Sequence, residues 1–356
     1  MPELVRRERA SLRMALLAPL LALAVTCLLS LVLFAALGKP AGTALHALLI
    51  EPFLSWYNLS EVLLKAGPLL LVAQGLAVGF RAKVFNIGAE GQLVLGAVCA
   101  SSLPVYLPQS TSPLLWPAMM VLGALGGAAW AAIAAFWRTR LNASEILVTL
   151  MLSLVAGQLL NYLLLGPWKD PAGFNFPQSV MFQWEAMLPT LIPGTRVNVS
   201  LLFALAATAM AWVLMQRSFL GFQLLVGGQA PRAAAYAGFP AGRAVWVSLL
   251  VGGAAAGLAG AAEVAGPLGQ LQRSVAAGTG FAAIAVAYLG GLHPLGIVGS
   301  ALLMAAIAIG GDGARVTADL PAAAVRVLQG LLLVSYLCCL VLIRHRIARP
   351  RARVPA

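Results

Sequence analysis

Long apolar runs decide what this chain can fold into. A helix needs about 20 predominantly apolar residues to cross a bilayer. Such runs occupy 15–37, 59–80, 87–107, 114–136, 144–166, 197–215, 244–264, 295–311 and 322–343, and a shorter glycine-rich run at 277–292 brings the expected spans to ten. In hydrocarbon each backbone N–H and C=O must find its partner within the protein, so these runs predict helices. Composition agrees, with 61% hydrophobic and 10% charged residues, where a soluble domain carries about 25% charged. The expected fold class is all-α: a polytopic membrane protein with one membrane domain over 15–343, a basic N-terminus at 1–14 and a basic tail at 344–356. The run 15–37 follows Arg6, Arg7, Arg9 and Arg13 as a signal peptide would, but it is too long for a signal core, so it is read as the first span.

The cations set an orientation. With the N-terminus inside and the spans alternating, sixteen Lys/Arg fall in inner segments, and five (Lys39, Lys169, Arg196, Arg273, Arg315) in outer ones. Positive charge marks the cytoplasmic side, so both termini are expected in the cytoplasm. The net charge of +12 is spread in short clusters beside apolar runs, without the aromatic interleaving that stacks bases, which excludes nucleic acid as a partner. Lipid is the expected surroundings. Cys27, Cys99, Cys338 and Cys339 lie inside apolar runs and read as small hydrophobes. His46, His293 and His345 have no metal-motif partners, so no metal is assigned.

Two interruptions stand out. Phe80-Arg81-Ala82-Lys83-Val84-Phe85-Asn86-Ile87-Gly88-Ala89-Glu90-Gly91-Gln92 carries polar side chains on a glycine-loosened backbone between two apolar runs. A polar, broken segment entering the bilayer needs a protein or water-filled lining, as part of a permeation path has. A plain cytoplasmic turn followed by an ordinary helix is the other reading. Gly278 to Gly296 holds a short apolar segment flanked by glycines and ending in Gly290-Gly291 and His293-Pro294. Broken segments at matching places in two halves point to a transporter site. Five expected spans precede residue 170 and five follow 196; a repeat of that odd size would be inverted. The segments near 81–92 and 278–291 both fall at the third span of their half.

Two loops exceed what connection requires. The outer one, 167–196, contains Trp168, Pro171, Trp184, Pro189 and Pro193; it reads as an interfacial anchor or a docking surface for an external protein. The inner one, 216–243, holds Pro231-Arg232-Ala233-Ala234-Ala235-Tyr236-Ala237-Gly238. Proline at a first-turn position and glycine past the last turn predict a short capped helix. Such a helix either sits in a groove on a soluble partner or merely connects spans. Within the spans, Glu61 and Lys65 are four apart on one face and can pair. Lys65, Glu263 and Arg326 read either as a polar lining of an outward mouth or, being near span ends, as pairing and snorkelling groups, which is the simpler account. Glu145, after Asn142 and Ser144, suits a helix N-terminus.

The sequence holds no phosphate loop, no His-Glu-x-x-His and no serine elbow, so the chain is not read as an enzyme and no cofactor is assigned. Residue patterns alone reach a ten-span transporter, ion-coupled secondary carriers included.

The segment Phe85-Asn86-Ile87-Gly88-Ala89-Glu90-Gly91-Gln92 resembles the permease subunits of bacterial ATP-binding cassette (ABC) importers, in the ribose and branched-chain amino acid branch and its nucleoside/simple-sugar group. Three further stretches resemble that group in the same order: Thr149-Leu150-Met151-Leu152 with Gly166 to Pro171, Gly227 to Gly238, and Gly280 to Gly291. Ser144, Ser153 and Ala282 depart from its usual residues. The resemblance implies import of nucleosides or related sugar-containing solutes across the bacterial inner membrane. The alternatives are simple sugars or branched-chain amino acids. It implies a second permease, identical or related, separate ABC ATPase subunits that bind the ATP, and an external solute-binding protein or lipoprotein. It makes 216–243 the coupling loop, with Gly227, Arg232, Tyr236 and Gly238 as its expected site residues. The expected solute path involves Asn86, Glu90, Gln92 and Phe281.

Overall fold

In the computed structural model the backbone is described for residues 3–6 and 12–348, and side chains for 17 and 19–339. The basic positions Arg7, Arg9, Arg349, Arg351 and Arg353 of the two termini lie outside the described residues.

The chain runs β1 (Glu3–Arg6), α1 (Leu12–Ala36), α2 (Ala41–Leu49), α3 (Glu51–Leu54), α4 (Trp56–Arg81), α5 (Ala89–Tyr106), α6 (Leu115–Leu141) and α7 (Glu145–Leu165). It continues through α8 (Ser200–Arg217), α9 (Phe219–Gln229), α10 (Pro231–Tyr236), α11 (Ala241–Glu263), α12 (Thr279–Leu289), α13 (Pro294–Thr317), α14 (Ala322–Arg344) and β2 (His345–Ala348). Among the described residues eight helices are long and apolar enough to cross a membrane. The protein is a multi-pass, helical membrane protein, as the apolar runs require. The two expected spans outside that group are the broken ones. α5 has 18 residues and begins with Glu90 and Gln92; α12 has only 11.

Two compact units divide the described chain. The first holds the residues up to Leu54 and from Ala306 onward. There α1 packs on α14. The polar groups inside α1 are satisfied locally: Thr26 donates to Ala22 O at 2.7 Å and Ser30 to Thr26 O at 2.6 Å, which is how hydroxyls are tolerated in lipid. Lys39 pairs with Asp319 at 2.5 Å and holds that carboxyl below its usual range through the hydrogen bond. β1 and β2 form an antiparallel pair, Glu3 opposite Ala348 and Arg6 opposite His345. The first and last described segments therefore lie side by side.

The second unit, Ser55–Ala305, is built around α11, which packs on α4, α5 and α6. No hydrophobic force separates helix from lipid, so close backbone approach must supply the attraction. Glycine makes that approach possible. A Cβ at Gly127 would lie 2.6 Å from Gly257 Cα, one at Gly253 2.5 Å from Ala131 Cβ, and one at Gly75 3.1 Å from Gly252 Cα. The pairings also give directions. Gly75 faces Gly252 while Gly79 faces Ser248, so α4 and α11 run antiparallel. Gly67 faces Ser200 and Gln74 reaches Thr208, so α4 and α8 run parallel. Both agree with the alternation read from the spans.

Candidate functional site

The junction between α4 and α5 is the first place where a span fails to continue. α4 ends in a tight turn: Ala82 N and Val84 N both donate to Gly79 O, at 2.9 and 3.0 Å. Lys83 takes φ +55 there, a left-handed conformation that costs a residue with a Cβ about 1–2 kcal/mol. Residues 82–88 then run without helix into the packed interior. Their polar groups need partners, and the sequence supplies them. Asn86 Nδ2 donates to Gln92 Oε1 at 2.8 Å, Gln92 Nε2 returns to Asn86 Oδ1 at 3.1 Å, and Gly88 N donates to Asn86 Oδ1 at 3.0 Å. Helix α7 serves the other side. Thr149 Oγ1 accepts Ile87 N at 3.2 Å, and Ser153 Oγ accepts Gly91 N at 3.2 Å. Gly88 and Gly91 allow this contact; a Cβ would lie 2.5 Å from Thr149 O and 2.6 Å from Ser153 Cα respectively.

The second broken segment meets the first. Glu90 Oε1 accepts Gly278 N at 2.7 Å and its Oε2 accepts Gly280 N at 2.6 Å. A buried carboxylate thus caps α12 across more than 180 residues of sequence, where the helix dipole favours negative charge. Gly278 sits at φ +93, and a Cβ at Gly280 would lie 2.5 Å from Glu90 Cα. α12 closes with Tyr288 stacked on Phe80, ring centroids 5.1 Å apart. So the four expected path residues separate into two kinds. Asn86, Glu90 and Gln92 are buried and bonded within the junction, whereas Phe281, one residue beyond the cap, is 42% exposed.

Sequence reasoning did not single out Gln74. Its Nε2 donates to Thr208 Oγ1 at 3.1 Å and to Pro294 O at 2.9 Å, so it ties α4 to α8 and to the start of α13. The signal was an amide in the middle of an otherwise apolar run, the rule applied to Asn86 but not there.

At one end of this unit lie the expected outer segments. Arg196 Nε donates to Glu61 Oε1 at 2.9 Å, and Lys65 lies 4.0 Å from Glu263. The hydrogen bond that Arg196 donates to Glu61 pushes the Arg196 pKa up. In place of a Glu61–Lys65 pair stand two pairs between elements, because each carboxylate has a nearer cation off its own helix. Trp168 is buried, with Nε1 on Tyr106 Oη at 3.0 Å, while Trp184 is exposed. Of the two tryptophans only Trp184 presents a free face.

The other end gathers the expected inner segments. The long loop holds two helices where one was expected: Gly227 belongs to α9, and α10 follows with Pro231 at its first position, as predicted. Ala234 is buried and anchors α10, while Arg232 and Tyr236 project, Tyr236 being 97% exposed. Gly238 ends the element at φ +74. Behind α10 lies a cavity of about 380 Å³ whose lining includes Lys83, Arg138, Glu145, Gly227, Pro231 and Arg243. Glu145 is in the first turn of α7, and Arg138 Nε lies 3.0 Å from its Oε2. Among the described residues no group of three His, Cys, Asp or Glu could hold a metal ion.

Residues 58–337 match the protein family described as branched-chain amino acid transport system / permease component. The chain belongs to this permease family. The match takes in the α4–α5 junction, α12 and the α9–α10 loop. This permease is 35% identical over 314 residues to the glucose ABC transporter permease protein TsgB13 of Haloferax volcanii, covering 85% of this chain and 82% of that one. It is 27% identical to the guanosine ABC transporter permease protein NupP of Bacillus subtilis, covering 89% and 92%. It is 28% identical to the nucleoside ABC transporter permease protein NupB of Lactococcus lactis, covering 83% and 84%. No solved structure matches it. Its role is that of a transport component of an ABC importer.

Proposed function

We propose that this permease carries nucleosides or related sugar-containing solutes across the bacterial inner membrane, with both termini in the cytoplasm. Separate ABC ATPases would drive it, a second identical or related permease would complete the pore, and an external binding protein would deliver the solute. The observation that carries this reading is the exposed α10. A six-residue helix whose aromatic tip is 97% exposed has the form of a helix presented to a groove. Arg232 and Tyr236 would be the contacts, with Gly227 in the preceding helix α9 and Gly238 at the left-handed end of the foot. The relatives named for guanosine, nucleosides and glucose support the solute class.

The solute would pass the Phe281 face of α12. Asn86, Glu90 and Gln92 would form the wall behind it, fixing α12 in place. An aromatic face suits a base or a sugar ring. Coupling requires that the foot make different contacts in the two states of the ATPase pair. The test is reconstitution of the permease with its ATPases and binding protein. Nucleoside uptake should require ATP, and Arg232→Glu should abolish uptake while membrane insertion stays normal. Uptake driven by an ion gradient in the permease alone would overturn the reading.

A further inference from the structure

The cavity behind α10 has a charge composition that transport of a neutral solute leaves unused. Three cations line it, Lys83, Arg138 and Arg243, against a single carboxylate, Glu145. Arg138 is matched by that carboxylate. Among the described residues Lys83 and Arg243 have no acidic partner. Both are exposed side chains on the lining of one cavity, and an anion held there can meet both with charge-assisted hydrogen bonds. Lys83 also occupies a left-handed turn at φ +55 where glycine would be unstrained. The turn does not require a lysine, yet it holds one at the cavity. Arg243 stands in the first turn of α11, which has no acidic residue and no side-chain cap, so the local field is positive from the backbone as well. The remaining wall includes apolar Leu224 and Val245. The cavity lies at the end of the unit where α4, α6 and α8 finish and α7 and α11 begin, the level at which lipid headgroups meet a membrane protein.

We propose that this cavity binds a phosphate group through Lys83 and Arg243, presented by an anionic phospholipid headgroup of the adjacent leaflet or by a soluble phosphate ester. Its negative oxygens suit one ammonium and one guanidinium. Occupancy joins the 82–84 turn to the base of α10 and α11, so the foot is braced against the helix that leads into the α4–α5 junction. The site does not depend on which solute the permease carries.

The test uses the full-length permease in nanodiscs. Phosphatidylglycerol is added to phosphatidylcholine in one arm; in the other, inorganic phosphate is added to phosphatidylcholine discs at constant ionic strength. Native mass spectrometry reads lipid retention and thermal unfolding reads stabilisation by either probe. The double variant Lys83→Gln/Arg243→Gln should retain phosphatidylglycerol about 30-fold less than the parent, from about 1 kcal/mol for each cation near an anionic headgroup. Arg243→Lys keeps the charge and should retain most of the effect. Arg140→Gln, a cation of the same end outside the cavity lining, should behave as the parent. Equal melting of parent and double variant in phosphatidylcholine alone verifies folding. Dependence on lipid without dependence on phosphate assigns the headgroup, and the reverse assigns a soluble ester. A double variant that matches the parent in both arms overturns the site.

Discussion

The carboxylate of Glu90 accepts the backbone N–H of Gly280 at 2.6 Å. With the companion bond from Gly278 at 2.7 Å, this side chain joins the two segments where spans are interrupted. Backbone donors of a helix start have no partner of their own, and in a membrane interior water does not replace one.

Glu90→Gln should therefore cost more than a surface change. The amide keeps one acceptor oxygen and places an NH₂ against a backbone donor. Hydrogen bonds to a charged group contribute about 1.5–3 kcal/mol each, so a loss of about 2 kcal/mol in unfolding free energy is expected, along with a large fall in uptake. Cysteine labelling at Phe281→Cys should become faster in the Gln variant as α12 loosens. Unchanged melting and unchanged labelling would detach Glu90 from that role.

Gly257→Ala tests the close approach of α11 to α6. The added methyl would meet Gly127 Cα at 2.9 Å and collide with Gly123 O. Overpacking of this kind costs about 1–3 kcal/mol, and backbone on both sides leaves no side chain to yield. Gly157→Ala is the control. It lies within α7 with nothing within 4 Å of the new carbon, so helix propensity should make it neutral or slightly stabilising. Thermal unfolding of the two variants in one detergent should separate them clearly.

Tyr236→Ala should dissociate stability from coupling. The side chain is 97% exposed and its ring contacts no other aromatic ring in the described chain, so unfolding should shift by no more than about 0.5 kcal/mol. Stimulation of ATP hydrolysis by solute-loaded binding protein should nevertheless drop severalfold. If stimulation persists, Tyr236 is not a contact of the foot.

How far the site could be read in the sequence varied with the physics of each part. The long spans were legible because lipid demands one continuous apolar helix per crossing. The 231–238 element was legible because Pro231 and Gly238 mark its ends by conformational restriction and freedom. The two broken segments were legible as anomalies, but not their meeting. Nothing in the spacing of Glu90 and Gly280 says that one caps the other, since the contact is made across most of the chain. The same holds for Glu61. Spacing along one helix offered Lys65 as its partner, and the fold supplied Arg196 instead. Burial of Asn86 and Gln92 was also hidden, because an amide inside a span reads alike whether it faces a path or another amide.

The Glu61–Arg196 pair offers a last quantitative check. Glu61 is buried and Arg196 is half exposed, with two donor nitrogens on the two carboxylate oxygens. Exposed pairs are worth about 0.2–1 kcal/mol, and fork geometry with one partner buried favours the upper part of that range. A double-mutant cycle of Glu61→Gln and Arg196→Gln, read by chemical unfolding, should give a coupling of about 1 kcal/mol. The cycle of Glu61→Gln with Lys65→Gln should give close to zero despite the four-residue spacing. Raising ionic strength should shrink the first coupling, because the Arg196 side exchanges with solvent. A larger coupling with Lys65 than with Arg196 would mean that α4 closes its charges on its own face and leaves Arg196 free.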